Sequence, residues 1–138
     1  MSNERRLAVP SEAAQLAVLT AFLKEFWSAA ALPAEGSLPF ELALEEVFMN
    51  VVMHGAPSGA ALVEVLLQVD GGSLAMTIAD DGPPFDPLSL PAPDVTAGLN
   101  ERRIGGQGVH LVRQMMETVG YRRDGTRNIL TLSRQISR

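Results

Sequence analysis

Ala61-Leu-Val-Glu-Val-Leu-Leu-Gln-Val69 and Ser73-Leu-Ala-Met-Thr-Ile-Ala79, separated by Asp70-Gly71-Gly72, decide the architecture of this chain. Both runs are rich in Val, Leu and Ile, and the short break between them reads as a β-hairpin turn. A second hairpin closes the chain, with Tyr121 to Arg123 and Asn128 to Gln135 flanking Asp124-Gly125. Arg6 to Val9 alternates enough for a short first strand. After Pro10, Ser11 is placed to cap a helix in which Leu16, Leu19, Leu23 and Phe26 recur at helical spacing. That helix should end near Leu32-Pro33, where proline interrupts. Ala34 to Pro39 reads as a loop. Phe40 to His54 reads as a second helix, stopped by Gly55, Pro57 and Gly59. A third is expected from about Gly106 to Thr118, with Val109, Val112, Met116 and Val119 on one face. The pattern predicts an α+β fold: a two-layer α/β sandwich, its sheet largely antiparallel but mixed, with three helices on one face.

The chain of 138 residues is most simply one domain, 1–138, able to bury about 68% of its unfolded surface without disulfides or a structural metal. It has no cysteine, which fits a reducing compartment. The opening Met-Ser-Asn-Glu-Arg-Arg has no long apolar region behind it, so no signal peptide is read. No apolar run reaches the roughly 18 residues of a membrane span. The expectation is a cytoplasmic protein, not held in a membrane. Net charge is −5 with pI about 4.9 and no basic stripe, which argues against direct nucleic-acid binding.

Three segments carry the chemistry. In Glu46-Val-Phe-Met-Asn50-Val-Val-Met-His54-Gly55, Glu46 and Asn50 are four apart and share a helix face. An ionised carboxylate in so apolar a helix is costly unless paired or facing a wet cleft. Lining a cavity, Glu46 accepts a proton and Asn50 offers a neutral oxygen to magnesium, which keeps its waters and needs few protein ligands. As the polar edge of a core helix, Glu46 would instead pair with an arginine. His54 reads as structural. In Asp80-Asp81-Gly82-Pro83-Pro84-Phe85, Asp80 stands at a strand end, placed to accept a hydrogen bond from the exocyclic amine of adenine, and Gly82 lets the backbone pass close to the ring. The same residues also spell an ordinary Asp-Gly turn. In Gly105-Gly106-Gln107-Gly108-Val109, glycines open a helix whose free N–H groups and positive dipole end suit phosphate; a flexible hinge has the same composition. No Gly-Lys-Ser/Thr follows, so this is not a Walker loop. From Pro83 to Ile104, prolines 83, 84, 87, 91 and 93 make a long loop of the kind that is functional or disordered.

Taken together these segments resemble the histidine-kinase-like ATPases, with the N-box at Glu46 and Asn50, one glycine box at Asp80 and Gly82, and a second at Gly105, Gly106 and Gly108. The resemblance implies the ATP-binding fold of that superfamily, a mobile ATP lid at about 83–104, and ATP and Mg2+ as cofactors. With Asp80-Asp-Gly-Pro-Pro-Phe-Asp86 and Gly-Gly-x-Gly-Val-His-Leu-Val112, the chain is similar to the stand-alone anti-sigma factor serine kinases. That likeness implies Glu46 as catalytic base, Asn50 as magnesium ligand and Asp80 as adenine contact, with Gly82, Gly105, Gly106, Gly108 and Val109 around the nucleotide. Thr126, in Gly125-Thr126-Arg127-Asn128, would stand near the adenine, and Arg102 and Arg103 would reach phosphate from the lid. It also implies a homodimer, and as partners a sigma factor and a small antagonist protein carrying an acceptor serine. Two rival readings remain: a binding module using ATP as a non-catalytic switch to sequester a sigma factor, and a catalytic module cut from a sensor histidine kinase. Glu46 favours phosphotransfer, since a pure switch needs no base.

Overall fold

A computed structural model describes residues 3–55, 62–89 and 107–136. Five strands form one sheet: β1 (Glu4–Pro10), β2 (Leu62–Asp70), β3 (Ser73–Asp80), β4 (Thr118–Asp124) and β5 (Arg127–Gln135). Their spatial order is β1-β2-β3-β5-β4, and every pairing among them is antiparallel. The expected parallel component is therefore absent from the described sheet. Side chains alternate across it. Val65 pairs with Ile78, Leu67 with Met76, Met76 with Leu132 and Ile78 with Leu130, and all of these are buried. The opposite face presents half-buried Leu66, Thr77 and Thr131 in one row.

Three helices cover the apolar face: α1 (Leu16–Ala29), α2 (Ser37–Asn50) and α3 (Gln107–Met115). Leu19, Leu23 and Phe26 of α1, Phe40, Leu44, Val47 and Phe48 of α2, and Val112 of α3 join the strand residues in one core. Trp27 packs its ring 5.9 Å from that of Phe40 and donates its Nε1–H to Pro33 O at 2.8 Å. The β2–β3 turn holds Gly71 and Gly72 at φ 59° and 89°, a double left-handed turn that matches strand twist.

Several element ends differ from expectation for local reasons. Ser11 does not cap α1. A 3-10 turn at Ala13–Gln15 intervenes, and the buried Ser11 hydroxyl finds no hydrogen-bond partner among the described residues. α1 stops before Leu32-Pro33, because Leu32 N–H donates to Trp27 O and Ala31 N–H to Ser28 O. These two bonds form a Schellman closure. α2 starts at Ser37, so Leu38 and Pro39 are helical, and Pro39 sits in the first turn, where a missing N–H is harmless. The Ser37 hydroxyl donates to Glu41 at 2.9 Å. α2 gives way after Asn50 to a π-type turn at Val51–Gly55. α3 ends at Met115, whose carbonyl receives Arg134 Nη1 at 2.6 Å, so Val119 belongs to β4 and not to the helix.

Ala31 closes α1 with φ at 55°. That conformation costs a residue with a Cβ about 1–2 kcal/mol, and glycine is the usual occupant. Ala31→Gly is therefore expected to raise the unfolding free energy by about 1 kcal/mol. Urea titration followed by the fluorescence of Trp27, the only tryptophan, checks this, and an unchanged or lowered midpoint contradicts it.

Candidate active site

Good helix formers carry α2 from Phe40 to Met49, and two of its faces are occupied. Ala43, Leu44, Val47 and Phe48 enter the core. A second row carries Glu46 and Asn50, and Glu46 faces α3 across a cavity. Asn50 is only 2% exposed and donates Nδ2–H to Glu46 Oε2 at 3.0 Å. The bond fixes both groups. It commits the amide nitrogen to the carboxylate, so Oδ1 is the Asn50 atom available to a cation. Among the described residues it also leaves Glu46 Oε1 available to a proton donor. Glu46 lines a cavity of about 180 Å³ with Leu42, Glu45, Leu111, Val112 and Met115. Among the described residues no three His, Cys, Asp or Glu side chains converge. A magnesium ion here would take one neutral protein oxygen and draw its other ligands from phosphate and water, which is how that ion is commonly held.

The other half of the site lies where β3 ends. Asp80 is buried, and its Oδ1 accepts hydrogen bonds from Gly82 N–H at 2.9 Å and Asn128 Nδ2 at 3.0 Å. Among the described residues both donors converge on Oδ1, so Oδ2 keeps its lone pairs for an incoming N–H. Asn128 is the organising side chain. It is buried on β5, opposite Asp80 in the register. Its Nδ2 also donates to Pro83 O at 2.9 Å, and its Oδ1 accepts from Tyr121 Oη at 2.6 Å and Phe85 N–H at 3.1 Å. Arg123 Nη1 adds a bond to Gly82 O at 2.8 Å. The segment after Asp80 is thus tied to the β4–β5 hairpin at several points. Asp81 Oδ1 accepts Leu62 N–H, and Asp86 Oδ1 accepts Leu88 N–H.

The structure brings Glu46 and Asn50 together on α2, holds Asp80 and Gly82 in one turn, and packs α2 against both β3 and α3. Gly108 and Val109 lie in the first turn of α3. Gly105, Gly106, Arg102, Arg103 and residues 90–104 of the expected lid lie outside the described residues. Thr126 is exposed in the β4–β5 turn, and the side chain that reaches Asp80 is that of Asn128, two residues on. Sequence reasoning missed Asn128, Tyr121 and Arg123. Their signal was Asn128 just before the apolar Ile129-Leu130, legible only once β5 is known to pair with β3.

A family model described as the histidine kinase-like ATPase domain matches residues 9–134. A serine/threonine-protein kinase, BtrW, from Bordetella bronchiseptica is 31% identical over 114 residues, covering 80% of this chain and 75% of that protein. A crystal structure of the RsbU and RsbW domains of a Mycobacterium tuberculosis protein superposes with a TM-score of 0.68 at 14% identity. It covers 97% of this chain, which spans only 33% of that solved chain, and it shows likeness of fold.

Removing the Asn128 amide takes one of two donors from the buried Asp80 oxygen and leaves the Pro83 carbonyl, the Phe85 N–H and the half-buried Tyr121 hydroxyl without that partner. Each unsatisfied buried group costs about 1–3 kcal/mol, partly relieved by water. Asn128→Ala should therefore lower stability by about 2–3 kcal/mol in urea titration and speed hydrogen exchange at the Phe85 amide. Parental stability and exchange would remove Asn128 from its organising role.

Proposed function

The chain belongs to the histidine kinase-like ATPase domain family, and from that premise we propose that it is an ATP-dependent serine-protein kinase and anti-sigma regulatory factor. It transfers the γ-phosphate of ATP to a serine of a small antagonist protein, in a partner-switching system that also includes a sigma factor. The observation that carries the reading is the Glu46–Asn50 pair: a half-buried carboxylate, oriented by a buried amide, lining a cavity between α2 and α3. Among the described residues no cation pairs with Glu46; its one hydrogen bond is to the Asn50 amide. The likeness to a protein named as a serine/threonine kinase supports the same reading.

The residues divide the work. Asp80 Oδ2 accepts the exocyclic amine of adenine, while Oδ1 stays bound to Gly82 N–H and Asn128. Guanine presents a carbonyl at that position and would meet a lone pair. Asn50 Oδ1, with phosphate oxygens, would hold magnesium, which supplies charge neutralisation for the phosphates. The amides at the start of α3, around Gly108 and Val109, face phosphate at the positive end of the helix dipole. In the transfer the acceptor serine oxygen bonds to the γ-phosphorus, the bond to the bridging oxygen of ADP breaks, and the serine proton passes to Glu46 Oε1. Most of the catalysis is positioning and charge stabilisation, and the carboxylate takes the proton.

Incubation with labelled ATP and a candidate antagonist from the same genome, followed by phosphosite mapping, tests the proposal. Glu46→Gln keeps an oxygen for the Asn50 amide and removes the base. It should hold ATP affinity and lose phosphorylation by roughly 10²–10⁴-fold, the usual worth of a positioned base. A parental transfer rate in that variant excludes Glu46 as the base. If the parent binds ATP and a sigma factor yet labels no antagonist, the chain is a binding switch.

Asp80→Asn replaces an acceptor-only group with one that also donates. Selectivity for ATP over GTP, read by calorimetry on the two nucleotides, should fall by about tenfold or more, the scale of one buried hydrogen-bond mismatch. Unchanged selectivity would detach Asp80 from the base.

A further inference from the structure

Leu38, Leu42, Glu46 and Asn50 stand four residues apart on α2 and form one row along the helix. Exposure falls steadily along that row: 58% at Leu38, 40% at Leu42, half-buried at Glu46 and 2% at Asn50. On α3, across the cavity, Leu111 is 49% exposed and Met115 is half-buried beside the buried Val112. Two helices therefore leave exposed leucines on either side of one groove. Its floor leads from solvent to Glu46. The leucine end of the groove gives an approach to the Glu46 carboxylate from solvent.

We propose that this α2–α3 groove seats the phosphoacceptor segment of the protein substrate, gripping an apolar side chain near the acceptor serine; the assignment rests on the kinase reading above. The helix sets the spacing. Leu42 lies about 6 Å along the axis from Glu46, and an extended chain advances about 3.3 Å per residue. The apolar side chain held by Leu42 and Leu111 thus stands about two residues from the serine. Charge narrows the partner further. α2 carries Glu41, Glu45 and Glu46 and no cation. The nearby Arg113 of α3 directs its guanidinium to Leu88 O at 3.3 Å. The segment that fits is apolar and neutral or basic around its serine, and an acidic one is repelled.

The test uses full-length protein and the antagonist that the parent phosphorylates in the labelled-ATP assay. Leu42→Gln and Leu111→Gln change exposed side chains and should leave the melting temperature unmoved. Each should raise KM for the antagonist about tenfold, the scale of one lost apolar contact. The kcat at saturating antagonist and the ATP affinity should stay at parental values. Leu42→Met should restore KM. Leu66→Gln, on the helix-free face of the sheet, serves as control and should change nothing. An unchanged antagonist KM in both glutamine variants overturns the proposal while the kinase reading stands. So does an equal effect from Leu66→Gln. Weakened ATP affinity with a parental antagonist KM overturns the proposal and reassigns the groove to nucleotide binding. A parent that labels no antagonist overturns the kinase reading and this assignment with it.

Discussion

A carboxylate buried at the end of a central strand can persist only if something fixed donates to it, and here that donor is the Asn128 amide. Asp80 ends β3, and its side chain is out of water. An isolated charge there would cost far more than a neutral polar group. Asn128 answers with two donors and an acceptor at once, satisfying Asp80, the Pro83 carbonyl, the Phe85 amide and the Tyr121 hydroxyl. Networks of this kind strengthen in low dielectric when complete and are costly when broken. Because Asp80 and Asn128 face each other in the β3–β5 register, shifting either strand by one residue would turn one of them to the opposite face. The polar pair and the strand register specify each other.

α2 works under a different constraint. It must fill the core with Phe40, Leu44, Val47 and Phe48 while keeping a carboxylate usable. The helix does this by assigning the two jobs to separate rows about a quarter-turn or more apart. Where the polar row passes deepest, Asn50 is nearly sealed but holds Glu46 in place. The charge sits a full turn nearer solvent than the amide that orients it. That order keeps the desolvation cost on the neutral group.

Much of this was legible in the sequence wherever the determinant is local. The Asp70-Gly71-Gly72 turn, the existence of three helices and the Glu46–Asn50 spacing depend on residues within a turn or two of one another, and the structure has all of them, with different helix ends. The family resemblance follows from the same short segments. What could not be read depends on contacts distant in sequence or on small differences between closing motifs. Asn128 is 48 residues from Asp80, and only the insertion of β5 between β3 and β4 joins them. Thr126, proposed near the adenine, is exposed in the β4–β5 turn. The end of α1 was misplaced because a left-handed alanine stops the helix before the proline does. Ser11 failed as a cap because the chain enters α1 through a 3-10 turn.

The placement of β5 has a consequence for the order of assembly. β1, β2 and β3 are joined by neighbours and can zip together as soon as they leave the ribosome, but β3 then ends that partial sheet with its hydrogen-bonding edge open. Strand edges of this sort template pairing with other chains. Among the described strands that edge is closed by β5, which must slip in beside β3 ahead of β4 in space though behind it in sequence. The adenine-side network is therefore complete only in a chain already translated through Asn128. A chain cut before Asn128 would carry the open β3 edge without the adenine-side network.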